Sequence, residues 1–162
     1  MKHKRILAMI LAVASCLSLA VGASAANTTT RKATDFRDYD RTAWYAEAVS
    51  AAVDNGLLYG KSSTIIDPNG DMTRAEMAAI INRSFGCYAK ADISKYKDVS
   101  KDKWYFEDVA MAVQMGTYNG RSNTAMAPDS PITRQEAMTV VARALELDYD
   151  SYSKTDLSTF SD

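Results

Sequence analysis

Residues 36–85 and 96–145 superimpose without a gap at an offset of 60 positions, and this duplication limits the possible folds more than any other feature. The register pairs Asp38 with Asp98, Trp44-Tyr45 with Trp104-Tyr105, Glu47 with Glu107 and Val49 with Val109. It also pairs Gly56 with Gly116, Gly60 with Gly120, Pro68 with Pro128, and Arg83 with Arg143. A repeat of this length is one supersecondary unit, which buries its apolar face only against a neighbour of the same kind.

Each unit reads as helix, loop, helix. The first helix is expected over 44–55, with Tyr45, Ala48, Val49, Ala52 and Val53 on one face and Gly56 at a left-handed end; Tyr105, Val109, Ala112, Val113 and Gly116 repeat the pattern. A loop carrying Gly60 or Gly120, then Pro68 or Pro128, leads to Thr73-Arg74-Ala75-Glu76 and Thr133-Arg134-Gln135-Glu136. Thr-x-x-Glu ahead of an apolar-periodic run is a capping box, so Thr73 with Glu76 and Thr133 with Glu136 should open the second helices. Their apolar faces are read as Met77, Ile80, Ile81 and Phe85, and as Ala137, Val140, Val141 and Leu145. The predicted class is therefore all-α.

Arg74 and Arg134 occupy the first helical position, where the helix dipole disfavours a cation. Free N–H groups, dipole and guanidinium fork together suit an anion, so both arginines are candidate anion ligands; a solvated surface residue or pairing with a neighbouring acid is the ordinary alternative. Lys61 and Arg121, one residue after the loop glycines, are candidates for a second anion contact. Trp44 and Trp104 either stack on a flat ligand or anchor the core. Gly60 and Gly120 either admit a ligand close to the backbone or make a turn. Asp38 and Asp98 either accept hydrogen bonds from hydroxyls or cap a turn before the tryptophan helix. Arg83 and Arg143, late in the second helices, suit the dipole and read as structural.

The flanks add context. Lys2, Lys4 and Arg5, the apolar run 6–14 and Ala23-Ser24-Ala25 form a signal peptide over 1–25, with acylation at Cys16 as a competing lipobox reading. Cleavage takes away three cations and no acids, moving the formal charge from −1 to −4, which argues against a nucleic-acid partner. Cys87 is the one cysteine beyond residue 25, so no internal disulfide forms there; it should pack as a small apolar residue. After residue 25 no apolar stretch is long enough to span a bilayer. Residues 26–34 read as a mobile leader, 35–86 and 95–147 as the two repeats, and 148–159 as a polar linker. Phe160-Ser161-Asp162 repeats Phe36-Arg37-Asp38 and Tyr96-Lys97-Asp98, as though a third repeat began there.

No catalytic or metal constellation emerges. His3, the sole histidine, falls in the signal peptide, which leaves no Ser/His/Asp, Cys/His or histidine-based metal site. Asp67-Pro68-Asn69-Gly70-Asp71 resembles the start of a calcium loop, but Met72 and Ala78 stand where an EF-hand requires Gly and Glu. No cofactor is expected.

The order aromatic-x-Asp, Trp, helix ending in Gly, Gly-containing loop, Pro, Thr-Arg-x-Glu resembles the S-layer homology domain of bacterial cell-surface proteins. The resemblance covers 36–85, 96–145 and the stub 160–162, with Gln135 in place of the usual Ala. It implies a pseudo-threefold helical prism of three repeats, here two complete and a third truncated. It also implies a secreted, wall-associated protein that is not an enzyme and binds a secondary cell-wall polysaccharide carrying a pyruvate ketal. In that setting Arg74 and Arg134 are the carboxylate ligands, and Trp44, Trp104, Gly60, Gly120, Lys61, Arg121, Asp38 and Asp98 complete the candidate contacts. Two alternatives stand beside it: a self-associating scaffold of packed repeats or copies, and the anchor of a larger exported polysaccharide-active enzyme.

Overall fold

The computed structural model describes residues 31–147; the expected signal peptide, the linker and the start of a third repeat lie outside the described residues. A 3₁₀ turn at Ala33–Asp35 precedes α1 (Ala46–Asp54), α2 (Arg74–Phe85), α3 (Phe106–Met115) and α4 (Arg134–Ala144). Among the described residues there is no strand, only one isolated antiparallel bridge between Thr73 and Pro131. The all-α reading holds.

The helix ends follow their local chemistry. The Thr73 hydroxyl accepts from Glu76 N at 3.2 Å while Thr73 N donates to Glu76 Oε2 at 2.7 Å. Thr133 and Glu136 repeat this at 3.2 and 3.0 Å. Such reciprocal caps satisfy two orphan donors of the first turn. Gly56 and Gly116 take φ of 67° and 78°, letting Leu57 N and Thr117 N fold back onto Ala52 O and Ala112 O, a closure that a residue with Cβ resists.

Two clusters form the interior. Phe36, Val53 and Ile66 enclose a small one with Ala33. The larger cluster joins both repeats, with Ala75, Ala78 and Ile81 of α2 against Val109, Ala110 and Ala112 of α3, and Tyr96, Tyr105 and Met126 around them. α2 packs along α3 and more briefly on α4. The predicted α2 face is met in part: Ile81 is buried in this seam and Met77 and Ile80 are half-buried, but Phe85 is exposed, and Arg74, Ala75, Ala78 and Asn82 are buried beside them. Small residues allow the helices to approach closely, which suits Ala75 and Ala78 to this seam beside Ile81. On α4 the matching positions carry Gln135 and Met138, and Met138 and Leu145 are exposed.

The end of the expected mobile leader is docked instead. Ala33 is buried, and the Arg31 guanidinium donates to the carbonyls of Tyr59 and Ser63 at 3.1 and 2.8 Å while lying over the Phe36 ring. Paired donors and a stacked cation offset the entropy of ordering this segment. Cys87, half-buried after α2, directs its thiol toward Met111 O at 3.6 Å.

Candidate functional site

The two loops are held by the same device. Asp38 accepts from Ile66 N at 3.0 Å and Asp67 N at 2.7 Å; Asp98 accepts from Met126 N at 2.9 Å and Ala127 N at 2.7 Å. Asp67 and Ala127 have φ of 55° and 56°, a left-handed conformation that these charge-assisted bonds stabilise. Neither aspartate caps the turn before the tryptophan helix; Asp40 bonds Thr42 there in the first repeat. The bonds from Ile66 and Asp67 hold the Asp38 carboxyl below its ordinary range, against the opposing effect of desolvation.

Gly60 and Gly120 are glycines for packing. A Cβ at Gly60 would lie 2.5 Å from the Phe36 ring and 2.7 Å from Ile65 O; at Gly120 it would lie 2.5 Å from the Tyr96 ring. The aromatic-x-Asp segment thus pins each loop twice, by its carboxylate and by its ring.

Arg74 departs most from expectation. It is 5% exposed, and its guanidinium crosses to the second repeat. Nε donates to Met126 O at 3.1 Å, Nη1 to Glu136 Oε1 at 2.9 Å and Nη2 to Asn119 O at 3.1 Å, with the group over the Tyr118 ring. The helix N-terminus behind it is not free for an anion either: Arg74 N donates to Ser130 O at 3.0 Å and Ala75 N to Pro128 O at 2.9 Å. The expectation of an open anion cradle at α2 is therefore corrected, because carbonyls of the next repeat fill it. Arg134 is exposed at the start of α4.

The capping glutamates carry a second load. Glu76 Oε1 receives Lys61 Nζ at 2.7 Å, and Glu136 receives Arg121 Nε and Nη2, each at 3.2 Å, besides Arg74. Desolvation pushes the Glu136 carboxyl up, but the Arg121 and Thr133 hydrogen bonds and the Arg74 charge outweigh it, leaving a pKa of about 2.

These side chains line two related grooves. The first, about 500 Å³, is bounded by Leu58, Tyr59, Gly60, Lys61, Glu76 and Arg83, and Trp104 enters from the second repeat. The second, about 240 Å³, is bounded by Tyr118, Gly120, Arg121, Glu136 and Arg143, and Arg74 enters from the first repeat. Each groove belongs to one repeat and borrows one residue from the other. Trp104 is 59% exposed and Trp44 is 95% exposed, so neither is a core anchor; each indole meets its neighbouring tyrosine edge-on, and Tyr105 is the buried member of its pair.

Tyr118, Arg83 and Arg143 are groove residues that sequence reading missed or left structural. Arg83 lies 4.2 Å from the Tyr59 ring centroid with Nη1 on Leu57 O at 3.0 Å, and Arg143 Nη1 reaches Thr117 O at 3.4 Å. The recurrence of the two arginines in the gapless register was the available signal.

With this geometry in view, comparison with known proteins identifies the class. The sequence profile of the S-layer homology domain matches residues 35–78 and 95–138, and the chain belongs to that family. It is similar to the surface-layer 125 kDa protein of Lysinibacillus sphaericus, with 34% identity over 131 residues, 80% of this chain and 11% of that protein. It is also similar to an endoglucanase of Bacillus sp. KSM-635, with 28% identity over 145 residues, 88% of this chain and 15% of the enzyme. An exoglucanase XynX of Acetivibrio thermocellus is 25% identical over 131 residues, 81% of this chain and 12% of the enzyme. The chain thus spans between about a tenth and a sixth of the length of these relatives. S-layer homology domains are non-catalytic modules that bind cell-wall polysaccharide and anchor surface proteins to the wall, which assigns the chain to the cell surface. Among the described residues no helix is long and apolar enough to cross a membrane.

Proposed function

We propose that this chain anchors an exported protein non-covalently to the bacterial wall by binding an anionic, pyruvylated secondary cell-wall polysaccharide in its two grooves. The observation that carries the reading is the recurrence of one constellation, a loop glycine, a cation and a groove-facing arginine beside a capping glutamate, in both repeats. A ring-borne carboxylate calls for a guanidinium, and a sugar face calls for an aromatic surface. Lys61, Arg121, Trp104, Gly60 and Gly120 line the grooves and are the direct candidates. Asp38 and Asp98 hold the loops, and Arg74 contributes to the second groove from behind.

Trp44 and Arg134 fit the same scheme one step further. Trp104 serves the groove before it and Arg74 the groove after it, so Trp44 and Arg134 would serve a third repeat between the two ends, in a pseudo-threefold prism. In this reading residues 1–25 are a signal peptide, 148–159 a linker and 160–162 the first residues of that repeat. An endoglucanase, an exoglucanase and a surface-layer protein stand among the relatives, which supports an anchor carried by a larger exported protein. The test is co-sedimentation of residues 26–162 with wall sacculi before and after mild acid removal of pyruvate ketals. Binding lost on ketal removal is expected; binding that persists unchanged refutes carboxylate recognition.

A second reading rests on α4, where Met138 and Leu145 lie exposed. These side chains favour self-association, and a sedimentation coefficient that rises with concentration without wall polymer is the observation that would establish it.

A further inference from the structure

We infer that the two grooves divide the ligand: the negative charge of the polysaccharide enters the second groove, between Arg121, Arg143 and the Tyr118 hydroxyl, while the first groove takes an uncharged sugar. The inference rests on the reading of this chain as a receptor for an anionic polysaccharide and names which part of the site reads the anion.

Charge separates the grooves first. Around the second stand Arg74, Arg121 and Arg143 against Glu136 alone. Around the first stand Lys61 and Arg83 against Asp67, Asp71 and Glu76. Three cations against one acid leave a formal +2, and two against three leave −1, so a second negative charge is attracted to one groove and repelled from the other. The inversion comes largely from two positions in the shared register: Asp67 and Asp71 of the first repeat are Ala127 and Pro131 in the second.

The donors differ in the same sense. Lys61 is drawn onto Glu76 and the Asp71 carbonyl, and Arg83 sits 4.2 Å from the Tyr59 ring centroid with a 3.0 Å bond from Nη1 to Leu57 O, shorter than its counterpart in the second groove. In the second groove the Arg121 side chain is 41% exposed and bonds through Nε and Nη2, while Arg143 makes one long bond through Nη1. Arg121 Nη1 and Arg143 Nη2 have no hydrogen-bond partner among the described residues and can form a two-armed clamp on an oxyanion.

Tyr118 is the independent mark of a ligand. It is 3% exposed, it lines the second groove, and its hydroxyl has no hydrogen-bond partner among the described residues. A buried hydroxyl without a partner costs about 1–3 kcal/mol, which an acceptor delivered by a ligand would recover. Its counterpart in the first groove is Leu58, which offers no such donor. Thr139 and Asn119 likewise replace Ala79 and Tyr59, so the second groove is the more polar at each of these positions. Desolvation, with Glu136 nearby, raises the Tyr118 ionisation despite the opposing Arg74 charge, which keeps the phenol a donor at neutral pH.

The test is calorimetric titration of the full chain with purified wall polysaccharide bearing pyruvate ketals, with the same polymer after mild acid removal of the ketals, and with a phosphodiester wall polymer. Tyr118→Phe keeps the ring beneath Arg74 and is expected to weaken binding of the ketal-bearing polymer about fivefold; Arg143→Gln is expected to weaken it about tenfold or more, with partial rescue by Arg143→Lys. Arg83→Gln, the same change in the first groove, is expected to cost less than about twofold. Circular dichroism of each variant checks that the helices persist. Equal losses from Arg83→Gln and Arg143→Gln, or full affinity in Tyr118→Phe, overturn the division while leaving polysaccharide anchoring intact. A wild-type chain that binds the polymer equally well without ketals overturns the parent reading. Tighter binding of the phosphodiester polymer, lost in Arg143→Gln, overturns the carboxylate and identifies the charge as phosphate.

Discussion

Arg74 and Arg134 occupy the same position of the same four-residue stretch, yet one is buried and the other is exposed. Both are preceded by a capping threonine and followed by a capping glutamate with near-identical bonds. The difference lies wholly in the neighbour. α2 has the second repeat's loop against its N-terminus and α3 along its side, whereas no described element covers the matching side of α4. A local stretch can therefore specify a helix start with high fidelity and say nothing about what its arginine touches.

The sharpest way to break this comparison is to remove each guanidinium in turn. Arg74→Ala strips a buried cation from three acceptors and leaves Glu136 underpaired, so it should cost about 3 kcal/mol. Arg134→Ala should change stability by less than about 0.5 kcal/mol. Urea denaturation of the two variants measures both, and similar midpoints would refute the asymmetry.

Packing gives the next largest contrast. Ala78 is 1% exposed in the α2–α3 seam and Met138, its counterpart on α4, is 60% exposed. Ala78→Leu should overpack the seam at a cost of about 2 kcal/mol, whereas Met138→Ala should be nearly neutral. Thermal melts at fixed protein concentration check this, and an unperturbed melting temperature for Ala78→Leu would show that the seam is looser than described.

Acid sharpens the comparison between the two capping glutamates. Glu136 has a folded pKa of about 2 against an ordinary 4.5, so the native state releases this proton more readily than the unfolded chain. Its stabilisation is fully present above about pH 4.5 and fades as pH falls toward 2. Glu76 is also lowered, through Lys61 and Thr73 against desolvation. Glu136→Gln should flatten the dependence of the urea midpoint on pH between 5 and about 2.5, and an unchanged slope would show that the Arg121–Glu136–Arg74 bridge contributes little.

The smallest stability effect is expected at the tryptophans, which lie outside the core. Trp44→Ala should shift stability by less than about 0.5 kcal/mol. Trp104→Ala should be similarly mild in a melt but should weaken wall co-sedimentation, since that indole lines the first groove. Loss of the fold in Trp44→Ala would restore the core-anchor alternative.

Much of the architecture was legible in the residues. The starts of α2 and α4 follow from Thr-x-x-Glu, the ends of α1 and α3 from Gly56 and Gly116, and the tandem organisation from the gapless register, because each of these is short-range chemistry or simple repetition; α1, expected over 44–55, begins at Ala46, after the Trp-Tyr pair. The candidate site was legible as a set of residue types and only partly as a set of roles. Asp38 and Asp98 looked like groups for hydroxyls or a nearby turn, but their partners lie 28 and 29 residues away, beyond any local rule. Gly60 and Gly120 looked like openings for a ligand, and each proves to be where an aromatic ring presses on the backbone.

What the sequence determined by itself was the repeating unit, its capped and glycine-closed helix ends, its family and the inventory of cations and aromatics, since spacing and residue type decide these directly. Only the tertiary structure decided which surfaces meet. It buried Arg74 and exposed Arg134, placed Trp104 and Arg74 in each other's repeat, and brought Tyr118, Arg121 and Arg143 around one groove. The physical reason is that a side chain's role depends on who desolvates it and who pairs with it, and those partners arrive from the neighbouring repeat, not from the local stretch.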